Sequence, residues 1–306
     1  MADDRIIVAL DVHSLEDLKK LVETLGDRVS FYKVGMELFY SAGPDAVRYL
    51  KDQGKHVFLD LKVHDIPNTV AQSIRALTRL GADLMTLHGT GGRAMMEAAA
   101  EAVRDEAAKL NIEWPRLLAV TVLTSIDEDA WKEIGGKYSI AESVKNLAKL
   151  AKEAGIDGTV SSPYEAKEIR EMNGPDFLIV TPGIRPGANV EAPEDDQKRI
   201  MTAERALSNG ADHVVVGRPI SRAADPLAVV EARLAACVNI LPRVQSIYRW
   251  QGAVESAVEV PLLIKTNAAT YPALEAAIRE RHPYEVPEII ALPISAGLPA
   301  YLNWVA

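Results

Sequence analysis

Residues 60–67 read Asp-Leu-Lys-Val-His-Asp-Ile-Pro and follow the apolar run Val57-Phe58-Leu59. Two carboxylates, an ammonium and an imidazole at the end of what reads as a buried strand call for a reason. On a strand, Asp60 and Lys62 point to the same face. One Asp–Lys pair at a strand end is commonly a structural ion pair and nothing more. Here two further charges, Asp11 and Lys33, belong to earlier strand-like runs. A fold that gathers all four produces an array of alternating sign, in which each charge has a partner. Burying four such groups is costly unless they are paired or act on a ligand.

The elements that must position these residues come from an alternation along the first three quarters of the chain. Strand-like runs at 5–10, 30–35, 56–60, 83–87, 116–121, 157–160, 177–180 and 212–216 alternate with helical periodicity at 14–25, 43–53, 66–80, 91–110, 139–154, 163–172, 197–209 and 225–236. Gly or Asp often marks the return to a strand, as in Gly81-Ala82-Asp83, Gly155-Ile156-Asp157 and Gly210-Ala211-Asp212. Near-continuous apolar strands separated by helices imply a parallel sheet covered on its faces. Eight such units favour a closed α/β barrel, a (β/α)8 TIM barrel, whose chemistry collects at the C-terminal ends of the strands. That rim would hold Asp11, Lys33, Asp60, Lys62 and, just beyond, Asp65. It would also hold His88, Thr124-Ser125, Arg185 at the end of Pro182-Gly183-Ile184-Arg185, and Gly217-Arg218.

The last strand supplies a second chemistry. Backbone N–H groups near Gly217 and the guanidinium of Arg218 are suited to a phosphate at the rim of strands seven and eight. A Gly-Arg pair alone is weak, since a strand turn needs glycine for backbone reasons too. Beside it runs the long stretch 181–197, Thr-Pro-Gly-Ile-Arg-Pro-Gly-Ala-Asn-Val-Glu-Ala-Pro-Glu-Asp-Asp-Gln. Loops of that length in compact barrels are usually functional, often lids.

Composition bounds the rest. The 306 residues are 48% hydrophobic and carry a formal charge of −9 with a sequence pI of 5.3. This disfavours a nucleic-acid or anionic-membrane surface but not a local basic pocket. The single cysteine, Cys237, excludes an intrachain disulfide and fits a reduced, cytoplasmic setting. The start Met-Ala-Asp-Asp-Arg-Ile-Ile-Val has no signal-peptide pattern, and no apolar run reaches the roughly 18 residues of a membrane span.

These residues resemble the orotidine 5′-phosphate decarboxylase family. The matching pieces include Ala-Leu-Asp-Val at 9–12, 32–40, 58–70, Thr-Leu-His-Gly-Thr-Gly-Gly at 86–92, 120–125, 180–186, 195–202 and Val-Val-Val-Gly-Arg-Pro-Ile at 214–220. They cover about 1–235 in consistent order, and the D-x-K-x-x-D motif with its flanks is highly specific. The resemblance implies decarboxylation of orotidine 5′-monophosphate to uridine 5′-monophosphate and CO2, with no metal or organic cofactor. It gives Asp60 the place facing the substrate carboxylate. Lys62 would stabilise the C6 carbanion and protonate it. Lys33 would order Asp60 and touch the ribose, and Asp11 would bind a ribose hydroxyl. Asp65 would reach the site of the second subunit of a dimer, and Thr124 would contact the pyrimidine. Gln197, Arg218 and the Gly217 amide would grip the phosphate, with Arg185 a further candidate. His64 and His88 take no role beyond a polar rim. A magnesium-dependent sugar-phosphate lyase or decarboxylase is the alternative within the superfamily. Those relatives carry a metal-binding Glu where this chain has Lys33.

After about residue 236 the texture changes. Residues 237–306 contain no Asp, and the pattern becomes long strands at 237–250 and 254–266, a helix at 271–281, a strand at 286–293 and a short helix at 298–305. Residues 233–306 resemble the trimeric CutA proteins through 233–240, 246–252, 262–266, 271–294 and 297–305. That resemblance implies a ferredoxin-like α+β module, here partial, without its leading strand. The domain division read from the sequence is therefore 1–232 and 233–306. The barrel's last helix, Pro226–Ala236, runs straight into the second part, and the join reads as an engineered shared-helix fusion. Cys237 and His282 are the only soft ligand candidates in this part, and no spacing unites them into a metal site. The implied partners are the substrate and further copies of the chain, through two-fold barrel contacts and three-fold contacts of the C-terminal module. The competing reading is a self-assembling scaffold in which the barrel is only a building block.

Overall fold

The computed structural model describes residues 3–184, 201–217, 220, 237–240, 244–250, 253–259, 262–266, 268, 270–281 and 289–294. Eight parallel strands close into a barrel in sequence order: β1 Ile6–Ala9, β2 Phe31–Gly35, β3 His56–Val63, β4 Leu84–His88, β5 Arg116–Val120, β6 Gly158–Val160, β7 Leu178–Thr181 and β8 His213–Val216. Pairing of Ile6 with Val214 and Val8 with Val216 closes the ring. Helices follow the strands: α1 Leu15–Leu25, α2 Met36–Ala42, α3 Asp45–Asp52, α4 Pro67–Thr78, α5 Arg93–Leu110, α6 Glu128–Glu133, α7 Ile140–Glu153, α8 Ala166–Asn173 and α9 Ala203–Ser208. Two short helices, α2 and α6, have no counterpart in the periodicity. Each is too brief to show an apolar stripe, and α2 starts directly on Gly35 without a side-chain cap. The expected helix 225–236 and most of the 181–197 loop lie outside the described residues.

The barrel interior is filled by alternate strand residues. Ile7, Ala9, Phe31, Phe58, Leu84, Leu118, Val180 and Val215 form one buried cluster. Side chains two apart share a face. Continuing each strand by two residues from this plug therefore reaches Asp11, Lys33, Asp60, Thr86 and Gly217, all toward the C-terminal mouth. The apolar layers and the charged array are successive turns of one alternation.

The opposite end shows why the Gly-x-Asp triplets recur. Gly81, Gly155 and Gly210 take left-handed φ values of 76°, 79° and 100°, where a Cβ is disfavoured. Two residues on, each Asp accepts the backbone N–H of the second residue of the preceding strand: Val57 to Asp83 at 2.7 Å, Leu117 to Asp157 at 2.9 Å and Ile179 to Asp212 at 2.7 Å. A basic residue completes each clamp, Lys51 at 2.8 Å, Arg116 at 3.2 Å and Arg170 at 2.6 Å. Three of the strand junctions are thus locked by charge-assisted hydrogen bonds.

Contacts divide the chain into compact units Met1–Val229 and Val230–Ala306. In the second, Val244–Trp250 pairs antiparallel with Ala253–Glu259, and Cys237–Ile240 with Leu262–Lys265. Within the two long strands expected at 237–250 and 254–266, the described residues form these four strands, and 241–243, 260 and 261 lie outside the described residues. A helix spans Tyr271–Arg281, as expected. The strand expected at 286–293 is not formed over 289–294. Ile290, Leu292 and Ile294 alternate as a strand would but are 70%, 80% and 54% exposed. An extended segment needs a hydrogen-bonded neighbour to become a strand, and none faces it among the described residues. The expected helix 298–305 and His282 lie outside those residues. Among the described residues, no helix is long and apolar enough to cross a membrane.

Candidate active site

At the C-terminal mouth of the barrel, Lys33 Nζ stands 3.7 Å from Asp11 Oδ1 and 3.6 Å from Asp60 Oδ2. Lys62 Nζ donates to the same Asp60 oxygen at 2.9 Å. The alternating array read from the sequence is thus a contiguous row. Asp60 is its buried member, 8% exposed, whereas the Asp11 side chain is 42% exposed. Burial alone would push the Asp60 carboxyl up. The ammonium groups of Lys33 and Lys62, with hydrogen bonds from Lys62 and Thr86, outweigh it and hold the carboxyl below the usual range. Asp60 is therefore an anion at neutral pH.

These charges form one wall of a cleft of about 240 Å³. Val120, Val122, Leu123 and Val160 give an apolar side, and Thr124, Ser125, Gly183 and Gly217 complete the lining. Polar groups converging on one side of an otherwise apolar cleft are typical of a small-molecule site. Two glycines let charged side chains of the site approach the backbone closely. A Cβ on Gly217 would lie 2.7 Å from Asp11 Oδ2, and one on Gly35 3.0 Å from Lys33 Nζ. The bare backbone of Gly217 also leaves its surroundings open to a ligand.

The structure thus brings together Asp11, Lys33, Asp60, Lys62, Thr124 and Gly217. Asp65 is exposed on the loop after β3, where its Oδ1 accepts the Ile66 N–H at 2.7 Å. It does not line the cleft of its own chain. Arg185, Gln197 and Arg218 lie outside the described residues. The His64 and His88 rings lie 5.2 Å apart between centroids, tilted by 35°. Burial, then His64 and Lys62, push the His88 imidazole down against a smaller upward pull from Asp60. Cys237 sits in a strand paired with Lys265. Among the described residues, no three His, Cys, Asp or Glu side chains are grouped to hold a metal ion.

Two features escaped the reading of the sequence. Lys62 has a φ of 52°, so its meeting with Asp60 does not come from regular strand alternation alone. Thr86, buried on β4, bonds to both members of the D-x-K pair. Its signal was available, as a lone hydroxyl two residues beyond the plug residue Leu84.

Comparison with known proteins gives two matched ranges. Residues 4–233 match the orotidine 5′-phosphate decarboxylase / HUMPS family. Residues 218–306 match the CutA1 divalent ion tolerance protein family. The orotidine 5′-phosphate decarboxylase of Moorella thermoacetica is 52% identical over 232 residues, covering 76% of this chain and 91% of that protein. That of Trichlorobacter lovleyi is 54% identical over 230 residues, 75% of this chain and 93% of the other. The crystal structure of the orotidine 5′-phosphate decarboxylase from Lactobacillus acidophilus superposes with a TM-score of 0.65 at 45% identity, covering 75% of this chain and 97% of that one.

Proposed function

The chain belongs to the orotidine 5′-phosphate decarboxylase / HUMPS family, and we propose that within it the chain is the decarboxylase, converting orotidine 5′-monophosphate to uridine 5′-monophosphate and CO2. The observation that carries this reading is the buried Asp60 anion between two ammonium groups on the wall of the cleft. A substrate carboxylate set against Asp60 is repelled in the ground state, and loss of neutral CO2 moves that negative charge off the carboxylate onto C6, beside Lys62. The C6–carboxylate bond breaks with its electron pair left on C6. Lys62 Nζ stabilises that pair and then gives it a proton. The amine left on Lys62 regains a proton from water.

The remaining roles follow the family pattern. Lys33 holds Asp60 and touches the ribose, Asp11 takes a ribose hydroxyl, and Thr124 meets the pyrimidine. Gln197, Arg218 and the Gly217 amide take the phosphate, with Arg185 beside them. Asp65 serves the site of a second subunit. A divalent cation does not suit this donor set. The Lys33 ammonium stands within 3.7 Å of both Asp11 and Asp60, where a metal would need another acid. The test is conversion in D2O. Uridine 5′-monophosphate should form with one deuterium at C6, since ammonium protons exchange with solvent. Failure to release CO2 without added metal would refute the reading.

A second reading concerns assembly, and the CutA1 match over 218–306 favours it. With the domains divided at 232/233, two-fold contacts of a dimeric barrel would combine with three-fold contacts of a trimeric module, and such axes close into a discrete particle of at least six chains. The chain would then be a cytoplasmic enzyme carried on its own scaffold. Light scattering on the purified chain decides this, and the mass of a plain dimer would end it.

A further inference from the structure

Between Leu59 and Val63 the pairing of β3 with β4 slips. Leu59 faces Met85, and the next matched pair is Val63 with Leu87. Four steps along β3 span two along β4, and within that stretch Lys62 takes its left-handed φ of 52°. Such a bulge removes residues from the regular ladder and re-aims their side chains. A non-glycine residue in this region is strained and persists only when its surroundings hold it.

The β4 residue opposite the bulge is Thr86, which is 1% exposed. Its Oγ1 accepts the Lys62 backbone N–H at 2.9 Å and donates to Asp60 Oδ1 at 3.0 Å. A hydroxyl carries one proton. With the Lys62 N–H directed at a lone pair, that proton is committed to Asp60. The other carboxylate oxygen takes the Lys62 ammonium at 2.9 Å. Lys62 is therefore tied to Asp60 twice, through its own ammonium and through Thr86 by its backbone. Thr86 is β-branched, so its χ1 is restricted and the hydroxyl direction with it.

The geometry points to Thr86 as a positioning residue. Its hydroxyl braces the Lys62 bulge against the Asp60 carboxylate and so fixes where the proton donor stands relative to the repelling anion. The kinetic consequence rests on the decarboxylase reading, whereas the coupling of the two residues rests on the geometry alone.

Two variants separate the hydroxyl from its bulk. Thr86→Val replaces it with a methyl of similar volume, and Thr86→Ser keeps it while dropping the methyl. With orotidine 5′-monophosphate, Thr86→Val should lower kcat by about 100-fold, the scale of a ~1 Å misplacement of reacting groups. KM should stay within about threefold, because Asp60 and Lys62 line the cleft and Thr86 does not. Thr86→Ser should keep kcat within about threefold of the unsubstituted chain. A purely structural role would move melting temperature in both variants and spare kcat. The substrate-free readout is a carbon-13 titration of the Asp60 carboxyl. Loss of a hydrogen bond to the charged form raises its pKa in Thr86→Val, and Thr86→Ser restores it. A kcat within about twofold in Thr86→Val, or equal losses in both variants, overturns the inference. If the unsubstituted chain makes no uridine 5′-monophosphate, the decarboxylase reading falls by itself. The Asp60 titration then decides the coupling, and an unmoved Asp60 in Thr86→Val overturns it.

Discussion

Replacing Lys62 with alanine removes the ammonium 2.9 Å from Asp60 Oδ2 and leaves Asp60 its partners Lys33, at 3.6 Å, and Thr86. The loss to catalysis has two sources. A unit charge ~4 Å from a developing carbanion, at an effective dielectric of ~20, contributes about 4 kcal/mol. At ~1.4 kcal/mol per factor of ten, that is about 10³ in rate. Proton donation by a placed acid contributes about 10²–10⁴. One group supplies both, so the factors do not simply multiply, and a fall in kcat of at least about 10³ is expected. Folding should respond differently. The backbone at position 62 remains left-handed in an alanine variant, at a cost of ~1–2 kcal/mol that glycine escapes. Even after the greater entropy of an unfolded glycine, Lys62→Gly should be more stable than Lys62→Ala by about 1 kcal/mol while equally inactive. Steady-state release of CO2 and urea melts of both variants give the comparison. An alanine variant keeping more than about a tenth of the rate would remove Lys62 from the proton step. A glycine variant less stable than the alanine one would refute the strained backbone.

Asp83→Asn should destabilise the barrel by about 1.5 kcal/mol at neutral pH, the value of a hydrogen bond to a charged group. In the wild type, burial pushes the Asp83 carboxyl up. Its hydrogen bonds from Lys51, Val57 and His56 outweigh this and hold it below the usual range. Its contribution is therefore complete above the unfolded carboxyl pKa of ~4 and is lost as pH falls through the lower folded value. The gap between wild type and variant should close on acidification, and a gap in urea melts that is independent of pH would count against the clamp. Arg218→Ala should erode the preference for orotidine 5′-monophosphate over orotidine, because phosphate contacts support the chemistry from a distance. A variant that keeps the preference would clear Arg218 of that task. Excess EDTA should leave turnover unchanged, and inhibition reversed by magnesium would favour a metal-dependent lyase instead.

The barrel was legible because its two periodicities are long and consistent. Each of the eight strand runs overlaps an observed strand, and the inward alternation from Phe31 to Lys33 or Phe58 to Asp60 carries the core pattern into the site. The Gly-x-Asp triplets were recognised only as turns. Their clamp on the preceding strand is a contact between successive strand–helix repeats of the barrel, which local sequence does not express. Placing Lys62 on the face of Asp60 assumes regular strand geometry, from which its φ of 52° departs. A left-handed residue other than glycine has no sequence mark, since it is held by tertiary contacts. Thr86 looked like one more β-branched strand residue, and its role depends on a register slip that only pairing reveals. Residues 289–293 show the reverse case, a strand pattern with no paired neighbour among the described residues.

Strain and charge in this site fall on the same residue. Asp11, Lys33, Asp60 and Lys62 carry formal charges that cancel, so the cleft can hold an anionic Asp60 without an uncompensated charge. A substrate carboxylate adds one negative charge beside that anion and must draw on the same two ammonium groups. In the proposed reaction neither carboxylate can then be as well paired as Asp60 is alone. When neutral CO2 departs, the negative charge stays on C6 beside the Lys62 ammonium. Proton transfer, followed by reprotonation of Lys62 from water, restores the original balance. The bulge at Lys62 allows this because it delivers an ammonium to the mouth of the barrel only two residues from the carboxylate it neutralises. Thr86 keeps the bulge from relaxing. In the proposed reaction Asp60 would repel the substrate carboxylate while Lys62 pairs with Asp60 and serves as the acid, so the distance between them must stay fixed as their charges are shared with the ligand. A buried hydroxyl that bonds both residues meets that requirement from the neighbouring strand.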